Sequence, residues 1–251
     1  MNYIGITGHR GSGKTSIGYL LGHILNCLTG EYSKEDIENL YTAWCETIKK
    51  NNNAIYDCSL DHVYFDEFGE MPKSFVAQIL SIDMSVLDND VMKDKMYVNM
   101  KDFKLYAYDK SFKVLTANEL LEYTKANTPK RWKDIYISLR DFAAYFSVTI
   151  MQNVFGTDVW VKTRIQNDLK YPEANEGYKI FSDVKTKEEI KYIKDHNGLI
   201  IRTIRPSHRK SDAGISNTED SNVDFIINTE GKLIDMFDSI YNLAIKIYER
   251  E

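Results

Sequence analysis

Gly8-His9-Arg10-Gly11-Ser12-Gly13-Lys14-Thr15 is the stretch that decides the fold. It satisfies G-x-x-x-x-G-K-[ST] at every fixed position. Its surroundings fit too. Asn2 to Thr7 reads as a short, largely apolar strand. Thr15 to Leu28 carries Ile17, Leu20, Leu21, Ile24, Leu25 and Leu28 on one helical face. A strand, a glycine turn and a helix in that order predict a phosphate cradle. Gly8, Gly11 and Gly13 let the backbone curl so that successive N–H groups, that of Ser12 among them, point inward. The helix that begins at Gly13 adds its positive dipole end and unpaired donors. Lys14 is expected to reach the β- and γ-phosphates of a nucleotide, and the Thr15 hydroxyl to ligate Mg²⁺. His9 and Arg10 occupy variable positions and are expected to face solvent or a second substrate. The rival G-x-G-x-x-G pattern is absent, which disfavours a dinucleotide fold.

Outward from this loop, Thr29-Gly30 predicts a helix stop. Ser33 to Lys50 reads as a second helix with a capping-box-like start, Ser33-Lys34-Glu35-Asp36. The stretch from Ala54 to Lys130 is the least legible. Within it, Pro72 to Leu80 predicts a helix start, and Met96 to Met100 with Lys104 to Tyr108 predicts a hairpin. Asp141 to Phe155 predicts an apolar helix ended by Gly156, and Asp158 to Leu169 a further helix. The pattern then sharpens into a strand over 178–181, a helix over 187–195 and a strand over 199–204, which Arg205-Pro206 stops. Ser207 to Asn222 is polar and reads as a long loop of the kind that forms lids. A strand over 223–228 and an amphipathic helix over 232–250 close the chain. Strands alternating with helices predict an α/β fold, a mostly parallel sheet covered on both faces.

The bulk numbers set bounds. The 251 residues suffice for one large α/β domain, and the expected organisation is a single domain over 1–251. Segments inserted within 30–130 and a lid-like loop over 205–222 would complete it. Net charge is −5, which argues against nucleic acid as the main partner because a phosphate backbone wants a basic face. Cys27, Cys45 and Cys58 form no CxxC pair and predict free structural thiols in a reducing compartment. The N-terminus does not read as a signal peptide, and no run approaches a membrane span. Cytoplasmic residence is the expectation. Seventeen tyrosines fit a core or a substrate pocket as well as a dimer interface, so a homodimer stays open.

A phosphate cradle says nucleotide and not reaction. Three features point towards a kinase. Tyr178 to Phe181 delivers Ser182-Asp183-Val184-Lys185 at its carboxyl end, where ligands bind in open α/β sheets. There Asp183 suits the Mg²⁺ shell and Lys185 a substrate phosphate. Arg202, Arg205, Arg209 and Lys210 stand at or near the entry of the long loop. Arginine suits the charge that spreads over a transferring phosphoryl group, and a closing loop excludes water. The guanine-reading N-K-x-D is absent, since Asn228-Thr229-Glu230-Gly231 follows the last strand, so ATP is the expected donor. Asn228 falls on the nucleotide side.

These segments resemble deoxynucleoside monophosphate kinases of tailed phages. The resemblance rests on G-H-R-G-S-G-K-T, on F-G-T-D-V-W-V-K at 155–162 and on S-D-V-K at 182–185. I-I-R-T-I-R-P at 200–206 and I-I-N-T-E-G at 226–231 complete it. It implies a three-layer P-loop kinase fold and Mg²⁺-dependent transfer of the ATP γ-phosphoryl group to a deoxynucleoside 5′-monophosphate in the host cytoplasm. On this reading the acceptor side is formed by Asp183 and Lys185 with Arg140 or Lys73, the latter at a helix start, while Arg205, Arg209 and Lys210 close over the transferring group. Two departures stand out. Lys185 replaces the arginine of the family's D-x-R, and the helix before Gly156-Thr157 lacks its arginine. A kinase for another small metabolite and a non-catalytic nucleotide-binding protein are the competing readings.

Overall fold

A computed structural model describes residues 2–50, 60–99, 105–107, 114–115, 136–170, 177–208 and 222–250. The chain divides into two compact units, Met1–Phe68 with Ile165–Glu251, and Gly69–Arg164. The strands are β1 (Asn2–Gly8), β2 (Val63–Asp66), β3 (Met96–Asn99), β4 (Leu105–Ala107), β5 (Val114–Leu115), β6 (Tyr136–Ser138), β7 (Tyr178–Phe181), β8 (Leu199–Ile204) and β9 (Phe225–Asn228).

The first unit is an α/β layer structure around a five-stranded sheet in the order β2-β7-β1-β8-β9. Every neighbouring pair is parallel. β1 sits at the centre, Ile4 level with Ile180 on one side and Leu199 on the other. Its side chains alternate between two covered faces, as the period of two requires. Ile4 and Ile6 pack in one buried cluster with Ile17, Leu20, Leu21 and Ile24 of the helix Lys14–Thr29, and with Ile240, Leu243 and Ile247 of the closing helix Phe237–Tyr248. Each such aliphatic side chain contributes about 1.5–3 kcal/mol by leaving water. On the opposite face the helix Lys187–Asp195 lies close. A Cβ at Gly5 would stand 2.5 Å from the Ile193 terminal methyl, so the absent side chain leaves room for the helix to pack closely there. Tyr3, Phe68, Phe181 and Tyr192 form an aromatic cluster on this face.

Sequence pattern located most of this unit to within two residues. The helix Lys34–Lys50 is capped by Ser33, whose hydroxyl accepts from the Asp36 amide at 3.2 Å. The expected last helix begins instead as a 3-10 turn, Leu233–Met236, before the α-helix sets in at Phe237. Strand β2 went unread, because four residues flanked by acidic and aromatic side chains carry little periodicity. Cys27 and Cys45 are free and buried, as expected, and Cys58 lies outside the described residues.

The second unit carries a four-stranded sheet, β4-β3-β6-β5. The hairpin is present, with Met96 opposite Ala107 in an antiparallel pair. Val76, Leu80, Leu87, Val98, Ile137, Leu139 and Phe142 fill its core. The apolar helix expected over 141–155 starts two residues earlier, at Leu139, where the Ser138 hydroxyl accepts from the Asp141 amide at 3.0 Å. Over Tyr145–Gln152 it widens to a π-helix, and it ends before Gly156 at φ +98°. No described helix is long and apolar enough to cross a membrane.

One buried titratable group sets an acid limit on the fold. His23 is stacked on Trp44, ring centroids 4.3 Å apart, and burial lowers its pKa from 6.5 to about 4. The unfolded chain takes up a proton near the ordinary value while the folded chain does not. This contribution is therefore whole above pH 6.5 and is lost as pH falls towards 4. Linkage puts the loss at about 3 kcal/mol. His23→Phe keeps a ring on Trp44 and removes the titration. Chemical denaturation at pH 7 and pH 4.5 should show a smaller acid loss in the variant than in the parent.

Candidate functional site

The glycine loop emerges from the central strand at its carboxyl end. Gly8, Gly11 and Gly13 all have positive φ, at +144°, +77° and +81°, and the Ser12 amide turns back to the His9 carbonyl at 3.1 Å. The Gly13 carbonyl accepts the first full helical bond, from Ile17, so the helix N-terminus opens directly onto the loop. No atom outside the loop approaches within 4 Å of a Cβ built at Gly11, and none closer than 3.9 Å at Gly13. The loop is thus curled, with open space beside Gly11 and Gly13, while the Ser12 amide, expected to point inward, is taken up by the His9 carbonyl.

Lys14 folds over the loop. Its ammonium donates to the Gly8 and His9 carbonyls, both at 2.9 Å. Burial lowers its pKa first and the neighbouring Lys185 charge second, while Asp183 works in the opposite sense. Lys14, Asp183 and Lys185 therefore share one electrostatic site. Strand β7 makes this so, because it is the direct neighbour of β1 and delivers Asp183 just beyond its last residue. Asp183 is held by the Phe68 amide at 2.9 Å, and its other oxygen lies 3.6 Å from the Lys185 ammonium. The turn is pinned by a capping box. The Thr186 hydroxyl accepts from the Glu189 amide, and the Glu189 carboxylate accepts from the Lys185 and Thr186 amides at 2.6 and 2.8 Å. Burial, then the Asp183 charge, raises the Glu189 pKa.

On the other flank the loop is tied to β8 and β9. Arg205 donates through Nε to the Thr229 carbonyl at 3.0 Å and through Nη1 to the Gly11 carbonyl at 3.5 Å. It braces the loop from behind. Asn228 ends β9 exposed, its side-chain oxygen accepting from the Glu230 amide at 3.0 Å. Arg209, Lys210 and most of the lid-like loop lie outside the described residues. Lys73 and Arg140 belong to the second unit. Lys73 pairs with Asp88 at 2.8 Å, and Arg140 makes a two-pronged contact with Asp94 at 2.5 and 3.2 Å.

Four residues escaped the sequence pattern. Thr203 and Thr229 hold the loop from beneath and looked like ordinary strand and turn residues. Asp66 and Glu67 stand at the carboxyl end of β2. Asp66 pairs with the buried Lys179 ammonium at 3.1 Å, and Glu67 accepts from the Ser182 hydroxyl at 3.3 Å. The cue in sequence is weak: Val63-Tyr64-Phe65 ahead of Asp66-Glu67 is a three-residue apolar run delivering two carboxylates.

The site offers the Asp183 carboxylate and two ammoniums, Lys14 and Lys185, beside the loop, with the Thr15 hydroxyl in the first turn of the helix. Hard oxygens of this kind fit Mg²⁺, which binds through one or two carboxylates plus substrate phosphates rather than in a protein cage. Among the described residues no group of three or more His, Cys, Asp or Glu forms such a cage. Comparison of the chain with protein-family models and with curated proteins finds no match, so the site stands on its own chemistry.

Proposed function

We propose that this protein is a P-loop kinase that transfers the ATP γ-phosphoryl group to a deoxynucleoside 5′-monophosphate, with Mg²⁺. The observation that carries the reading is the convergence of Lys14, Asp183 and Lys185 beside a loop of three positive-φ glycines at the carboxyl edge of a parallel sheet. Mg²⁺, when bound, would neutralise charge on the donor phosphates, and Thr15 and Asp183 would hold it. The chain's own work is positioning and charge neutralisation. The loop amides and Lys14 orient the donor. Lys185 meets the acceptor phosphate as a point charge, without the two-pronged grip an arginine would give. Arg205 keeps the loop in shape. No general base is needed, because the acceptor is already an oxyanion.

A second reading has one observation in its favour. The Glu67 carboxylate at the Ser182 hydroxyl is the type of group that accepts a proton, and a hydroxyl acceptor needs one. Incubation of ATP and Mg²⁺ with each deoxynucleoside monophosphate, and in parallel with the deoxynucleosides, separates the two. ADP formation that depends on a monophosphate is the expected result. Turnover with the nucleosides alone would favour the second reading, and nucleotide binding without transfer to any acceptor would leave only a binding protein.

A further inference from the structure

Beneath the glycine loop runs a line of hydroxyls that no phosphate-binding motif requires. Ser12 occupies a variable position, and its side chain is buried against β8. Its Oγ lies 2.7 Å from the Thr203 hydroxyl, which in turn donates to the Thr7 carbonyl at 3.3 Å. The Thr229 hydroxyl donates to the Ser12 carbonyl at 2.8 Å. Thr7, Thr203 and Thr229 are fully buried and Ser12 is 1% exposed, so water cannot substitute for these bonds. The contact is also close-packed, because a Cβ at Gly8 would meet Thr203 Oγ1 at 2.6 Å and Ser12 Oγ at 2.8 Å.

We infer that Thr203 and Thr229 are positioning residues for the donor phosphates, acting through Ser12. This rests on the reading of residues 8–15 as a phosphate cradle. A loop rich in glycine has many shapes open to it, and ordering it when ligand arrives opposes binding. Ser12 sits between Gly11 and Gly13, the two positions with most freedom. Fixing its side chain to β8 and its carbonyl to the turn after β9 holds the peptide groups on both sides of it. The amide donors are then arranged before the anion enters. Thr203 and Thr229 thus act on the cradle without touching the nucleotide.

The prediction concerns how affinity grows with phosphate number. In the wild type, binding should tighten steeply from AMP to ADP to ATP. Thr203→Val removes the hydroxyl at nearly constant shape. It should weaken ATP and ADP about tenfold while leaving AMP nearly unchanged, and Thr203→Ser should restore the parent values. Ser12→Ala breaks the same bond from the loop side, so its loss should match that of Thr203→Val, and the double variant should lose no more than either alone. Ser12→Ala also reads the bond should Thr203→Val fail to fold. Equal weakening of AMP, ADP and ATP, additive losses in the double variant, or unaltered ATP affinity in Ser12→Ala would each overturn the inference. A wild type whose affinity ignores phosphate number would instead overturn the cradle reading, and the inference with it.

Discussion

Lys14→Ala is expected to lower kcat/KM for phosphoryl transfer by roughly 1,000-fold or more, through lost charge at the transferring group. The fold should survive. The ammonium contacts only two carbonyls of its own loop, and the apolar cluster that anchors the following helix begins three residues later, at Ile17. Those two bonds also make the variant informative. The ammonium rests on the Gly8 and His9 carbonyls of its own loop and on no part of the buried core. Its removal then costs the reaction more than the free protein. A thermal midpoint within a few degrees of the parent, with turnover near background, is the expected pair of results. Turnover near the parental level would remove Lys14 from the chemistry.

Gly8→Ala should damage both stability and binding. The backbone there has φ +144°, a conformation that L side chains rarely adopt. The added methyl would stand 2.4 Å from the Thr203 carbonyl oxygen, an atom of the neighbouring strand. Strand β8 cannot retreat without breaking its ladder to β1, in which Gly8 is itself level with Thr203. The loop must move instead. Strain of this kind costs about 3 kcal/mol, and the displaced amides should weaken ATP binding by roughly 100-fold. Denaturant unfolding and nucleotide titration measure the two effects separately. Gly11→Ala is the useful comparison. It shares a positive φ but meets nothing within 4 Å, so it should show the backbone strain without the clash.

What could be read in advance followed from where local chemistry is strong. Gly8 to Thr15 is a motif whose residue types are dictated by backbone geometry, and the strands over 178–181 and 199–204 are short, mostly apolar segments rich in aromatic and β-branched residues, interrupted only by Lys179 and by Arg202-Thr203. Asp183 could be placed because a strand end predicts a sheet edge. Tertiary partners were less legible. Arg205, expected to close over the reaction, has partners on the Gly11 and Thr229 carbonyls that lie beyond any local pattern, because β9 brings the turn at Thr229 beside it. Lys73 and Arg140 find aspartates within the second unit, 15 and 46 residues away in sequence, which no local pattern reveals. Glu67 was hidden by the brevity of β2. Thr203 looked like any β-branched strand residue until the register set it opposite Gly8.

Calorimetric titration of the wild-type protein with Mg·ATP and, separately, with adenosine tests most directly whether residues 8–15 hold a triphosphate. Binding of Mg·ATP at least about 100-fold tighter than adenosine is predicted, since the affinity should come from amides and an ammonium around phosphate. Equal affinities, or no heat from Mg·ATP at millimolar concentration, would contradict it.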